Sequence, residues 1–147
     1  DGRAFGPAGG DWTYLDPTIR LIARENGAPV SHVGLVRSNV RVRETLFPVI
    51  GVGCVVTPPP HQGKGHAAAA LVEAAREIRD DATAEFGLLF CRDLLVPFYE
   101  KQGWERIDAP VTVVQPSGTA LYDQTPLFLR KHRRWPAGKI EVLSFPW

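Results

Sequence analysis

Apolar and polar positions along this chain fall into several short strand-like runs and one strong helical run. Arg20 to Arg24 reads as a strand, and Glu25-Asn26-Gly27 carries the Asn-Gly signal of a tight turn into a longer strand, Val30 to Val42. Phe47 to Thr57 predicts a third strand, because Val49, Ile50, Val52, Val55 and Val56 are β-branched and show no helical period. Gly51 and Gly53 within it point to a bulge or a close backbone approach. Pro58, Pro59 and Pro60 stop the run.

The clearest helix is expected from His66 to about Ala84, with Leu71, Ala75, Ile78 and Ala82 forming one buried stripe opposite Glu73, Arg76, Glu77, Arg79 and Asp80. Gly87 to Cys91 has the unbroken apolar character of a strand buried on both faces, as a parallel neighbour reached by a helical crossover should be. Pro97 suits the first turn of a helix running to about Gln102, and Gly103 suits its left-handed end. Val111 to Gln115 and Pro126 to Arg130 read as strands joined by a turn-rich segment, Pro116 to Thr125. Residues 1–17 read as loop with a few anchoring aromatics.

A length of 147 residues with 44% hydrophobic positions suits a single domain, with a loop-rich segment at 1–17 and a C-terminal tail at 131–147. Such a domain buries about 68 to 70% of its unfolded surface and needs no metal or disulfide staple. The net charge of +1 gives no chain-wide positive field for nucleic acid. The longest uncharged run, Thr45 to Gly63, is broken by glycines and prolines, so no transmembrane helix is expected. Only Cys54 and Cys91 are present, both in apolar runs, which favours a reducing, cytoplasmic setting. The start at Asp1 and the lack of Met suggest a preceding segment.

The most informative stretch is Thr57 to Ala67, between the third strand and the long helix. Its small residues let successive amides turn toward one anion, and the helix N-terminus adds about 0.3 to 1 kcal/mol of favourable dipole. The pattern is neither a Walker loop nor a dinucleotide fingerprint, because Gly-x-x-x-x-Gly-Lys-Ser/Thr and Gly-x-Gly-x-x-Gly are both absent.

Here the chain resembles the GNAT superfamily of N-acetyltransferases, whose acyl-CoA signature is Gln/Arg-x-x-Gly-x-Gly/Ala after a strand. Gln62, Gly65 and Ala67 match it in register, and Pro97-Phe98-Tyr99-Glu100-Lys101-Gln102-Gly103-Trp104 resembles the superfamily's Phe-Tyr-x-x-x-Gly-Phe/Trp segment. The similarity spans roughly residues 18–130. His32 to Arg37, Phe5-Gly6-Pro7 and Trp135-Pro136-Ala137-Gly138 are similar to segments of nodulation N-acyltransferases. The Tyr-x-x-x-Gly-Trp spacing and the Trp-x-Ala-Gly near the end are also similar to aminoglycoside 2'-N-acetyltransferases.

The resemblance implies an α/β fold with a mixed sheet, of the GNAT acyl-CoA N-acyltransferase type, whose opening strand and helices exceed what seventeen residues can hold. It implies acetyl-CoA as cosubstrate, no metal, and transfer of an acetyl group to a primary amine of a small molecule by direct attack. Val55, Val56, Thr57, Gln62, Gly63, Lys64, Gly65, His66 and Ala67 would bind the cosubstrate. Backbone amides near Val55 and Val56 would polarise the thioester, and Tyr99 matches the usual general acid. Arg92 stands where the superfamily often has Asn.

The base has no motif, since the strand before the loop reads Gly51-Val52-Gly53-Cys54 without a carboxylate. Glu44, His32 and an ordered water are the candidates, Glu44 being taken as the catalytic one and His32 as more of a hydrogen-bonded strand residue. Cys54 raises an acyl-enzyme route against the commoner fate of buried packing. The Arg130-Lys131-His132-Arg133-Arg134 run reads first as a solvated edge and second as a contact for the 3'-phosphate of CoA. Only three acids follow from Asp108 on, so no acidic pocket for a polycationic acceptor is evident. Rival readings are a longer-chain N-acyltransferase on an amino sugar and a catalytically silent acyl-CoA-binding module. No nucleic-acid or membrane partner is expected, and a homodimer is left open.

Overall fold

Strand formation begins where the sequence places it, at the Asn-Gly hairpin. The computed structural model describes residues 12–147, and there Asn26 and Gly27 take φ of 51° and 80° and join β1 (Ile19–Glu25) to β2 (Ala28–Val42). Two positive φ values in succession are what a type I′ turn requires, and its twist matches that of the paired strands. β3 (Thr45–Val56) returns antiparallel along β2. The loop reading of residues 1–11 and the Phe5-Gly6-Pro7 segment lie outside the described residues.

After β3 come α1 (His66–Asp80), β4 (Phe86–Cys91), α2 (Val96–Lys101), β5 (Glu105–Arg106), β6 (Val111–Gln115), β7 (Gly118–Tyr122), β8 (Thr125–Leu129) and β9 (Ile140–Val142). They build one mixed sheet in the order β5-β8-β4-β3-β2-β9-β6-β7, with β1 on β2 beside that path. The β3–β4 and β6–β9 pairs are parallel and the others antiparallel. The expected α/β mixed sheet is therefore observed.

The two faces bury different cores. Under α1, whose buried residues are Ala70, Leu71, Ala74, Ala75 and Ile78, lie Ile50 and Val52 of β3, Leu89 and Cys91 of β4, and Tyr99 and Trp104. A Cβ on Gly87 would meet Ile78, Leu129 and Trp104 at 3.0 Å, so this glycine lets helix and sheet close. The opposite face curls around an aromatic cluster in which Phe86 lies 4.8 Å from Trp135 and Phe90 lies 5.2 Å from Trp147.

Three expectations need correction. The long helix stops at Asp80, not Ala84, and Ala82 is exposed. There the Asp81 carboxylate accepts bonds from the Thr83 and Ala84 amides at 2.9 and 2.8 Å and also pairs with Arg37, a local alternative that competes with another helical turn. Second, the turn-rich segment 116–125 contains β7, because Pro116 and Ser117 form a two-residue hairpin turn and the residues from Gly118 on pair with β6. Third, 131–147 is no tail: β9 inserts between β2 and β6, and Trp147 is 7% exposed.

The basic run is tied down as well. Arg130 pairs with Glu105, Arg133 with Glu85, and Lys131 Nζ donates to the carbonyls of Asp81 and Ala84. Among the described residues, no helix is long and apolar enough to cross a membrane.

Candidate active site

The site follows from where two parallel strands part. β3 and β4 pair only from Val49–Phe86 to Val52–Leu89. Beyond that, β4 continues against β8, with Cys91 opposite Thr125, while β3 continues against β2, with Val56 opposite His32. Among the described residues, Gly53 to Val56 therefore have no strand partner on the β4 side, where Gly53 packs against Trp147.

A bulge marks the parting. Between the pairs Gly34–Gly53 and His32–Val56, β2 has one residue and β3 has two, Cys54 and Val55. Cys54 takes φ of 50°, a left-handed conformation uncommon for a residue with a side chain. The glycine-rich strand signal thus corresponds to both anticipated features, a bulge beginning at Gly53 and a close approach at Gly51 and Gly53, which face Trp147.

A cavity of about 450 Å³ opens there, lined among others by Arg20, His32, Cys54, Val55, Val56 and Tyr99. Its walls are mainly apolar, as small-molecule sites usually are. Tyr99 is carried by α2, which holds Pro97 in its first turn and is ended by Gly103 at φ of 93°. The residue is 3% exposed, and burial pushes its phenol well above the ordinary range, so it holds its proton at neutral pH. The Cys91 thiol behind it is fully buried and is pushed up to about 12 by the same desolvation.

The Thr57 to Ala67 loop forms the second part. A short 3₁₀ turn, Pro59–His61, leads to Gly63 and Gly65, whose φ values of 76° and 81° turn the chain into α1. Gln62 Nε2 donates to the Thr57 carbonyl at 2.9 Å, bracing the loop across its base. A cleft of about 200 Å³ is lined by Thr57, His61, Gln62, Gly63, Gly65, His66, Ala67, Ala68 and Phe98. A Cβ at Gly63 or Gly65 would meet nothing within 4 Å, so these glycines serve backbone conformation and an open approach.

Two buried ring nitrogens here, His61 Nδ1 and His66 Nε2, have no hydrogen-bond partner among the described residues. The Glu25 carboxylate stands 3.6 Å from His66 Nε2, too far to satisfy it. Left-handed glycines, a helix N-terminus and unsatisfied ring nitrogens suit a phosphorylated ligand.

Of the expected site residues, Val55, Val56 and Tyr99 line the first cavity, Thr57, Gln62, Gly63, Gly65, His66 and Ala67 line the second, and Lys64 stands exposed on the loop between Gly63 and Gly65. Glu44 is not brought to either: it occupies the exposed turn between β2 and β3, ten residues from Cys54, or about 30 Å along an extended strand. His32, placed behind Glu44 by sequence, lines the cavity instead. Arg20 and Trp147 line it too; only strand pairing reveals the first, and no local signal marks the second. Arg92 is exposed just after β4.

Strand parting, bulge and glycine loop thus meet at one end of a curled mixed sheet. Residues 8–107 match the acetyltransferase (GNAT) domain family, and the chain belongs to that family. No curated protein matches it. Among solved structures it is similar to the GNAT-family N-acetyltransferase YhbS of Escherichia coli in complex with CoA, at 16% identity over 87% of this chain and 68% of that one, with a TM-score of 0.62. A GNAT-family acetyltransferase of Brucella melitensis in complex with acetyl-CoA matches at 20% identity over 85% of this chain and 66% of the other, with a TM-score of 0.57. The chain thus spans just under two thirds of the Brucella protein. At these identities the likeness is one of fold.

Proposed function

We propose that this chain transfers an acetyl group from acetyl-CoA to a primary amine of a small molecule, by direct attack with both substrates bound. The observation that carries the reading is the joining of two features at one strand end: a phosphate-type loop and, beside it, a cavity holding a protonated, buried Tyr99. Gln62, Gly63, Lys64, Gly65, His66 and Ala67 hold the pyrophosphate, and the backbone from Val55 to Thr57 holds the pantetheine arm. Amides near Val55 and Val56 face the developing oxyanion; one such donor is typically worth about 2.7 to 4 kcal/mol. Tyr99 gives its proton to the departing thiolate.

The E. coli and Brucella proteins, crystallised with CoA and acetyl-CoA, support the choice of cosubstrate. The narrower resemblance to nodulation and aminoglycoside enzymes says less about the acceptor. Trp135 of the shared Trp-Pro-Ala-Gly packs on Phe47, Phe86 and Phe128, so that segment reports core packing.

Calorimetric titration with acetyl-CoA, CoA and a medium-chain acyl-CoA tests the reading, beside a Lys64→Ala, Gly65→Val double variant. Micromolar binding of acetyl-CoA that the variant loses, with thiol release on adding amines, is the expected result. Preference for the medium chain would favour the longer-chain reading. Binding without turnover over a broad amine panel would favour the silent binding module.

A further inference from the structure

The cavity beside Tyr99 contains a hydrogen-bonded pair that the acyl-donor site does not use. His32 Nδ1 lies 2.7 Å from the Cys54 carbonyl oxygen, and its Nε2 lies 3.2 Å from Arg20 Nη1. A carbonyl only accepts and a guanidinium only donates, so the neutral ring carries its hydrogen on Nδ1 and its lone pair on Nε2. Both neighbours impose the same tautomer.

The bulge makes this possible. Cys54 is one of two β3 residues set opposite a single residue of β2, so it has no paired position in the ladder and its carbonyl meets the imidazole of the neighbouring strand. The distortion that opens β3 to the thioester therefore also fixes the histidine. Among the described residues lining the cavity, Arg20 carries the one permanently cationic side chain and Asp16 the one carboxylate side chain.

Resting on the acyl-transfer reading, we infer that the acceptor is an amine carrying a nearby carboxylate, of the α-amino acid class, with Arg20 binding the carboxylate and His32 accepting the ammonium proton. In the free protein the guanidinium occupies the lone pair that a base would need. The Arg20–His32 bond joins a cation to a neutral ring, whereas a carboxylate meets the guanidinium as an ion pair with two parallel N–H···O bonds, so a ligand carboxylate draws Arg20 away from Nε2. The same guanidinium repels a second ammonium group on a polycationic acceptor.

The proton balance closes. His32 Nε2 takes one proton from the ammonium, and the freed nitrogen pair forms the C–N bond at the thioester carbonyl. The C–S electron pair leaves with sulfur, which takes the Tyr99 proton. The new amide nitrogen sheds its second proton to restore Tyr99, and the imidazolium returns its proton to solvent.

Thiol release by the full chain with acetyl-CoA is measured for leucine against isoamylamine and phenylalanine against phenethylamine, each pair differing by the carboxylate. The inference expects kcat/KM at least about tenfold higher for the amino acids. Arg20→Gln should raise KM for them alone and so erase the preference. His32→Gln should lower kcat by about 10² to 10⁴ with every amine. Calorimetric binding of acetyl-CoA, unchanged in both variants, shows that they are folded. Equal turnover within each pair, or an Arg20→Gln variant that keeps the preference, overturns the inference and leaves the acyl-transfer reading standing. Absence of turnover with any amine, in a chain that binds acetyl-CoA, overturns both.

Discussion

The indole of Trp147 occupies the space where a side chain on Gly51 would stand: a Cβ there would come within 2.2 Å of the ring carbon Cε2. The ring also donates from Nε1 to the Leu88 carbonyl at 3.2 Å, so it bridges β3 and β4 just before they part. Gly51→Ala should destabilise the chain by about 1 to 3 kcal/mol through overpacking. Trp147→Ala should cost about 3 to 5 kcal/mol by leaving a cavity. Urea midpoints measure both, and an unshifted midpoint in Gly51→Ala would show that the ring is not held there.

Tyr99→Phe removes one hydroxyl from a residue already 3% exposed, so packing should survive. If the phenol supplies the proton to the thiolate, kcat should fall by about 10² to 10⁴ with acetyl-CoA affinity unchanged. Steady-state thiol release and calorimetry separate the two quantities. Undiminished turnover would remove Tyr99 from the mechanism.

The two cysteines should differ in reactivity. Cys91 is fully buried with its thiol pushed up to about 12, whereas Cys54 is half-buried and lines the cavity. A thiol reagent at pH 8 should label one cysteine in the native chain and two after denaturation. Acetyl-CoA should protect Cys54, and Cys54→Ala should retain activity if no acyl-enzyme forms. Mapping the label by mass spectrometry checks both points.

Asp81 should give the fold an acid-sensitive tie. The Arg37 guanidinium beside it, helped by the Ala84 and Thr83 amides, holds its carboxyl well below the usual carboxylate range. A depressed folded value means that this stabilisation is fully present above the unfolded value of about 3.9 and is lost as pH falls toward the folded one. Arg37 is 59% exposed, so the ion pair itself is worth about 0 to 1 kcal/mol. Between pH 6 and pH 2.5, Tm should fall less in Asp81→Asn than in the parent chain. Parallel declines would show that the tie contributes nothing.

Much of the fold was legible because its signals are local. Asn26-Gly27 specifies a turn through the left-handed φ values these residues tolerate, and the alanine-rich periodic run after His66 specifies a helix packed on one face. The helix end is not a local signal, because Asp81 is decided by a partner in β2, Arg37, which lies 44 positions away. β7 and β9 carry little signal of their own for a related reason. They are short and acquire strand character from β6 and β2 rather than from their own composition.

What the sequence by itself determined about this protein is the order of its main elements, the glycine loop between β3 and α1, and the tyrosine segment of α2. Each depends on backbone preferences and side-chain spacing within a few residues. Tertiary structure alone decided which chemistry meets at the parted strands. It set Glu44 at the far hairpin turn, drew Arg20 and His32 from adjacent strands beside Cys54, and seated Trp147 against Gly51. These outcomes follow from strand register and one inserted residue, and register is fixed by packing across the whole sheet rather than by any local stretch of chain.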